Sequence, residues 1–100
     1  MDATLNDYRV NISEIMQGVN YPEAGDRLYG VLLDNLDKDA RIVLDFDGIT
    51  LVPSVFLNTS LGRLIKERGV DVIKQKLGFC NIPMSRMAHI KEYVKRFSAS

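Results

Sequence analysis

Large and polar residues alternate near the start of the chain, where Tyr8, Val10 and Ile12 are separated by Arg9 and Asn11. A period of two places side chains on opposite faces of an extended chain, so the pattern predicts a strand over about 8–15. Gly18 and Asn20 break it. Pro22 suits the opening turn of a helix. Ala24, Leu28, Val31, Leu32 and Leu36 then recur at helical spacing, which predicts a helix to about Asp37. Over Arg41–Phe46 the apolar residues Ile42, Val43 and Leu44 run consecutively. Such a run predicts a strand covered on both faces, hence a central one. Asp47-Gly48 is turn chemistry, and Ile49–Val52 is expected to add a short edge before Pro53.

From about Val55 to Arg68 the spacing predicts one helix with Leu57, Leu61, Leu64 and Ile65 as its buried stripe. Ser54 is expected to cap it and Gly69 to end it. A short helix over 71–77 and a strand over Phe79–Ile82 follow, and Pro83 stops that strand. A last helix from near Ser85 presents Met87, Ile90, Val94 and Phe97 on one face. Strands that alternate with helices imply a sheet joined by right-handed crossovers. One hundred residues leave room for one core. Residues 1–100 are therefore expected to form a single domain, with frayed ends at about 1–6 and 98–100.

Composition narrows the setting. With 46% hydrophobic and 26% charged residues, the chain has the balance of an ordinary globular protein. Its one cysteine, Cys80, allows no internal disulfide and fits a reducing compartment. No apolar run approaches the roughly 18 residues that span a bilayer. The opening MDATLNDYRV lacks the basic and apolar regions of a signal peptide. A cytoplasmic location is the expectation. The net charge of zero conceals a division: residues 1–50 hold 4 Lys/Arg and 10 Asp/Glu, residues 51–100 hold 9 and 3. Either the two halves neutralise each other across the fold, or the basic half meets an acidic partner or a nucleic acid through Arg86, Lys91, Lys95 and Arg96.

Asp45-Phe46-Asp47-Gly48 resembles the first motif of haloacid-dehalogenase-type phosphatases, in which the first Asp is the nucleophile, the second the acid/base, and Mg²⁺ lies between. The following residues depart from it, because Ile49 stands where that family has Thr or Val. After Asp47 the only acids are Glu67, Asp71 and Glu92, and none is paired. The alternative is that Asp45 and Asp47 close a strand and begin a turn. His89, the only histidine, is expected on the solvated face of the last helix. Cys80 is expected as a small buried hydrophobe. No enzyme activity, cofactor or metal is expected. Hydroxyl and amide side chains gather at Ser54, Asn58, Thr59 and Ser60, on a strand-to-helix junction.

Three strings carry a family resemblance: Val43-Leu44-Asp45-Phe46-Asp47-Gly48-Ile49; Phe56-Leu57 opening a helix that carries Leu61-Gly62; and Gly78-Phe79-Cys80-Asn81. Over about Leu28–Phe97 the chain resembles the STAS-like family of bacterial domains of unknown function. That resemblance implies an α/β fold, a small mixed β-sheet packed by about four helices. It also implies a distant similarity to anti-sigma-factor antagonists, which bind a histidine-kinase-like ATPase and are released when it phosphorylates a serine. The antagonists' phosphorylated serine falls at Val55, the serine before it at Ser54, and their preceding Asp at Pro53. The STAS-like family's hydroxyl residue before the Phe also falls at Val55, and its Asp two residues after the Phe falls at Asn58. The resemblance therefore implies a non-enzymatic protein-binding regulator. Pro53, Ser54, Val55, Asn58 and Thr59 are its expected contact residues, with the helix from 71 beside them and Ser54 as phospho-acceptor. A homo-oligomer is a further reading.

Overall fold

In a computed structural model, residues 7–38 and 40–98 are described. In chain order the elements are β1 (Tyr8–Asn11), α1 (Ile12–Met16), α2 (Tyr21–Asn35), β2 (Ile42–Asp45), α3 (Ser54–Thr59), α4 (Leu61–Arg68), α5 (Asp71–Lys76), β3 (Leu77–Cys80) and α6 (Met84–Ser98). The strands pair in the order β1-β2-β3, and the apolar run of β2 is central as expected. Both pairings are parallel, with Val10 and Phe79 beside Leu44, and Asn11 and Cys80 beside Asp45. The α/β class stands. The sheet is parallel where a mixed one was expected, and six helical segments stand among the described residues where about four were expected. The expectations placed on residues 1–6, 99 and 100 lie outside the described residues, and Ser98 closes α6.

Alternation along the strands sorts their side chains onto two faces. Val10, Ile42, Leu44 and Leu77 are buried on one face, in the core with Leu28 and Leu32 of α2, Phe56 and Leu57 of α3, Leu61 and Leu64 of α4, and Ile90 of α6. The other face carries Arg9, Asn11, Val43 and Cys80, none fully buried, together with Asp45 and Gly78. Cys80 is thus half-buried rather than part of the core.

Four expectations on boundaries are corrected. First, the strand over 8–15 ends at Asn11, whose side-chain oxygen accepts from the Ser13 N–H at 3.1 Å and caps α1. Second, Ile49–Val52 forms no strand. Third, the helix over 55–68 is two helices. Ser60 Oγ, fully buried, donates to the Phe56 carbonyl at 2.7 Å and occupies the acceptor that a continuing helix would give to the Ser60 N–H. That N–H turns to Leu57 O at 3.2 Å instead, and α4 restarts. Fourth, β3 runs from Leu77 to Cys80, two residues earlier at each end than the expected Phe79–Ile82, and it stops before Pro83 is reached.

Helix α2 lies so close to α3 that only glycine fits at Gly25. A Cβ there would overlap Thr59 Oγ1 and come within 2.7 Å of the Phe56 carbonyl oxygen. Gly30, on the same helix, has nothing within 4 Å of a built Cβ. Two alanine substitutions should therefore move stability in opposite directions. In urea denaturation Gly25→Ala is expected to lose about 1–3 kcal/mol to overpacking. Gly30→Ala is expected to gain about 0.5–1 kcal/mol from helix propensity.

Candidate functional site

The C-terminal end of the sheet is organised by Asp45, which is 6% exposed. Its Oδ1 accepts from the Asp47 backbone N–H at 2.9 Å and from the Asn81 side-chain amide at 2.9 Å. Its Oδ2 lies 3.5 Å from the Arg9 guanidinium on β1. The Asn81 amide, and after it the Asp47 N–H, hold the carboxyl below its ordinary range; burial opposes them and Arg9 adds to them. Asn81 reaches this position from a left-handed backbone, φ 53°. Gly48 takes a left-handed φ of 81° in the turn after Asp47. Both oxygens of Asp45 thus face donors of the protein itself, as in the strand-closing reading of Asp45-Phe46-Asp47-Gly48. Asp47 stands in solvent. Among the described residues, no three His, Cys, Asp or Glu side chains come together as metal ligands.

From that turn the chain runs through Thr50-Leu51-Val52-Pro53 into α3. Arg86, on the first turns of α6, braces it with two donors to the Thr50 carbonyl, Nε at 2.7 Å and a second guanidinium nitrogen. A shallow cleft of about 350 Å³ lies between Thr50–Val52 and Ser85, Arg86 and His89. His89 is exposed, as expected. Around the junction stand three large apolar side chains in solvent: Leu51 at 57%, Val55 at 40% and Met84 at 88% exposure. Val52, between them in the chain, is buried in the core and anchors the loop.

The expected contact residues separate by role. Ser54 is not the cap of α3: Pro53 holds that position, and Ser54 is the first helical residue, exposed and, among the described residues, without a side-chain hydrogen bond. Pro53 is half-buried. Val55 joins the exposed apolar group. Asn58 is exposed, yet its Oδ1 accepts from the Tyr93 hydroxyl of α6 at 2.5 Å. Thr59 turns its hydroxyl back to the Val55 and Phe56 carbonyls, at 3.1 and 3.3 Å, against the Gly25 gap. The structure therefore leaves Ser54 and Val55 exposed, three and four residues after the exposed Leu51, and binds Asn58 and Thr59 into helix packing. Sequence reasoning passed over Leu51, Met84 and Arg86 as parts of this surface. Only the apolar pair Leu51-Val52 leading into Pro53 hinted at the first. Of the basic residues set aside for nucleic acid, Arg86 is spent on the loop, while Lys91 and Lys95 border a separate groove on α6.

Residues 24–83 match the protein family described as STAS-like domain of unknown function (DUF4325). The chain belongs to this family. The matched stretch runs from α2 through β3 and includes Asp45, the turn and the whole junction. The resemblance read over Leu28–Phe97 therefore holds as far as Pro83, and α6 of this STAS-like domain lies beyond it. No curated protein and no solved structure matches the chain. No helix among the described residues is long and apolar enough to cross a membrane.

The lowered pKa of Asp45 has a signed consequence. A carboxyl that is more acidic folded than unfolded stabilises the fold while it is ionised. Its contribution is complete above the unfolded value of about 3.9 and is lost as pH falls through the lowered folded value. In thermal melts the STAS-like domain is expected to lose stability as pH falls below about 4, with Asp45→Asn melting lower at neutral pH and flattening that decline. Asn81→Gly should melt above Asn81→Ala, because both lose the amide while only glycine relieves the left-handed backbone, a difference of about 1–2 kcal/mol.

Proposed function

We propose that this STAS-like domain is a non-enzymatic regulatory module that binds a protein partner through the junction at 51–55 and the adjoining start of α6. The observation that carries the reading is the exposure of Leu51, Val55 and Met84 on a loop and helix start that are otherwise firmly held. Apolar side chains in solvent contribute nothing to folding, and gathered on a braced surface they offer area to a partner at little ordering cost. The brace is specific: Arg86 holds the Thr50 carbonyl, Val52 is buried, and Tyr93 holds Asn58.

The class of partner rests on the resemblance to anti-sigma-factor antagonists, which points to a histidine-kinase-like ATPase. Ser54 is the proposed phospho-acceptor. Its hydroxyl is exposed, makes no hydrogen bond among the described residues, and sits between Leu51 and Val55 in the chain. A phosphate there would add about −1.5 to −2 charge to a surface whose contacts are apolar, and would oppose docking.

The test is affinity capture from native lysate with the whole chain as bait, read by mass spectrometry with phosphate mapping. The expected result is an ATPase of this class that is retained by the unaltered chain and lost from both Ser54→Glu and Leu51→Asp. Both residues are exposed, so circular dichroism and melting temperature should stay close to those of the unaltered chain. Asn58→Ala is a poor probe, because it strands the buried Tyr93 hydroxyl and should cost about 1–3 kcal/mol of stability by itself. Capture of the same partner by both exposed-site variants would place the interface elsewhere.

A further inference from the structure

On another side of α6 a groove of about 410 Å³ opens toward solvent. Its floor is Leu77 and Phe79 of β3, an edge strand. Ile73 of α5 forms one wall, and Met87, Ile90 and Val94 of α6 form the other. Three exposed lysines border it: Lys74 from α5, and Lys91 and Lys95 from α6. No carboxylate is among the lining residues. Lys74 and Lys91 have no ion pair among the described residues. The groove is thus apolar inside and cationic at its mouth.

Two features decide what it would take. Positions 87, 90, 91, 94 and 95 share one face of α6 and extend over about 12 Å at 1.5 Å per residue. The cavity lies within the roughly 300–1,000 Å³ of small-molecule sites. A single hydrocarbon chain fits the length and the apolar lining, and the adaptable Met87 thioether suits a flexible chain. Charge complementarity with the lysines requires an anionic end.

We infer that the groove binds a free single-chain amphipathic anion, an alkyl carboxylate. Its chain lies over Leu77 and Phe79, and its carboxylate meets Lys74 and Lys91.

The test is a titration of the whole chain with monomeric sodium octanoate and sodium decanoate. It is followed by ¹³C-methyl methionine NMR, with the Met87 signal assigned through Met87→Leu. The expected result is a saturable shift of the Met87 methyl, while that of Met84, almost fully in solvent three residues earlier, stays in place. Affinity should rise about fourfold for each added methylene. It should fall at least tenfold for decanol in place of decanoate, and likewise for decanoate with Lys74→Gln/Lys91→Gln. Ser54→Glu should leave decanoate binding unchanged, so this result and the partner-capture result fail separately. Absence of a Met87 shift at millimolar decanoate would overturn the inference, as would equal binding of decanol and decanoate. Sedimentation with phosphatidylglycerol vesicles in the absence of monomer binding would also overturn it, and would assign the groove to a lipid surface.

Discussion

The arrangement of this small domain depends on how one carboxylate is kept ionised at the end of the central strand. Asp45 is nearly buried, and an unpaired charge there would be very costly. Its acceptor atoms are met from three parts of the chain: Arg9 on β1, the Asp47 N–H in the turn, and Asn81 just past β3. The partners are unequal. Arg9 is 65% exposed, so solvent screens its ion pair and leaves it little net worth. The two 2.9 Å hydrogen bonds carry the constraint, and the left-handed backbone of Asn81 is what it costs elsewhere. The ends of β2 and β3 are thereby tied to the turn from which the 49–53 loop departs. The exposed junction starts from a fixed point.

Three four-residue parallel strands make a narrow sheet, and parallel sheets are usually covered on both faces. Here the buried face carries the load, and the helices over it are held by close approaches and a polar stitch. Gly25 admits Thr59 and the α3 backbone, and Gly62 admits the Tyr93 hydroxyl. Between α2 and α4, Tyr29 donates to Glu67 while the Arg63 guanidinium lies 3.9 Å above its ring and 3.1 Å from Asp26. The Glu67 carboxylate raises the Tyr29 pKa, and burial adds to it, which keeps the phenol protonated as the donor the contact requires. Packing of this kind fixes α3 against α2, and with it the surface that α3 begins.

What could be read from the sequence follows the range of the interaction responsible. The apolar run of β2, the stripes of α2 and α4, and the turn at Asp47-Gly48 are local patterns, and each stands where the pattern put it. Ile12 fits the alternation of a strand and also the first turn of a helix, and only the Asn11 cap decides for the helix. The break at Ser60 rests on one buried hydroxyl, which hydrophobic spacing does not see. Gly78 follows the helix read over 71–77, yet it lies within β3 beside Val43, a pairing that local spacing does not show. Within the site, the strand-closing role of Asp45 was legible, since it follows from a strand end, whereas the capping role read at Ser54 belongs to Pro53. The ties to Asn81, Arg86 and Tyr93 were not legible, because each spans about 35 residues of chain.

Helix α6 belongs to both surfaces. Arg86 holds the Thr50 carbonyl and Tyr93 holds Asn58, on the side of the junction. Met87, Ile90 and Val94 line the groove. A helix packed in a dense core moves as a unit or not at all, so a shift of α6 that alters the groove also alters the support of the loop. This shared element makes coupling between the surfaces physically available, and it also limits it. An occupant of the groove changes the junction only by the difference in its affinity for two positions of α6, and a partner at the junction changes the groove by the same factor. Each methylene laid on Leu77 and Phe79 counts toward coupling only if one α6 position accommodates it better than the other. Tight binding that is indifferent to α6 leaves the junction as it is.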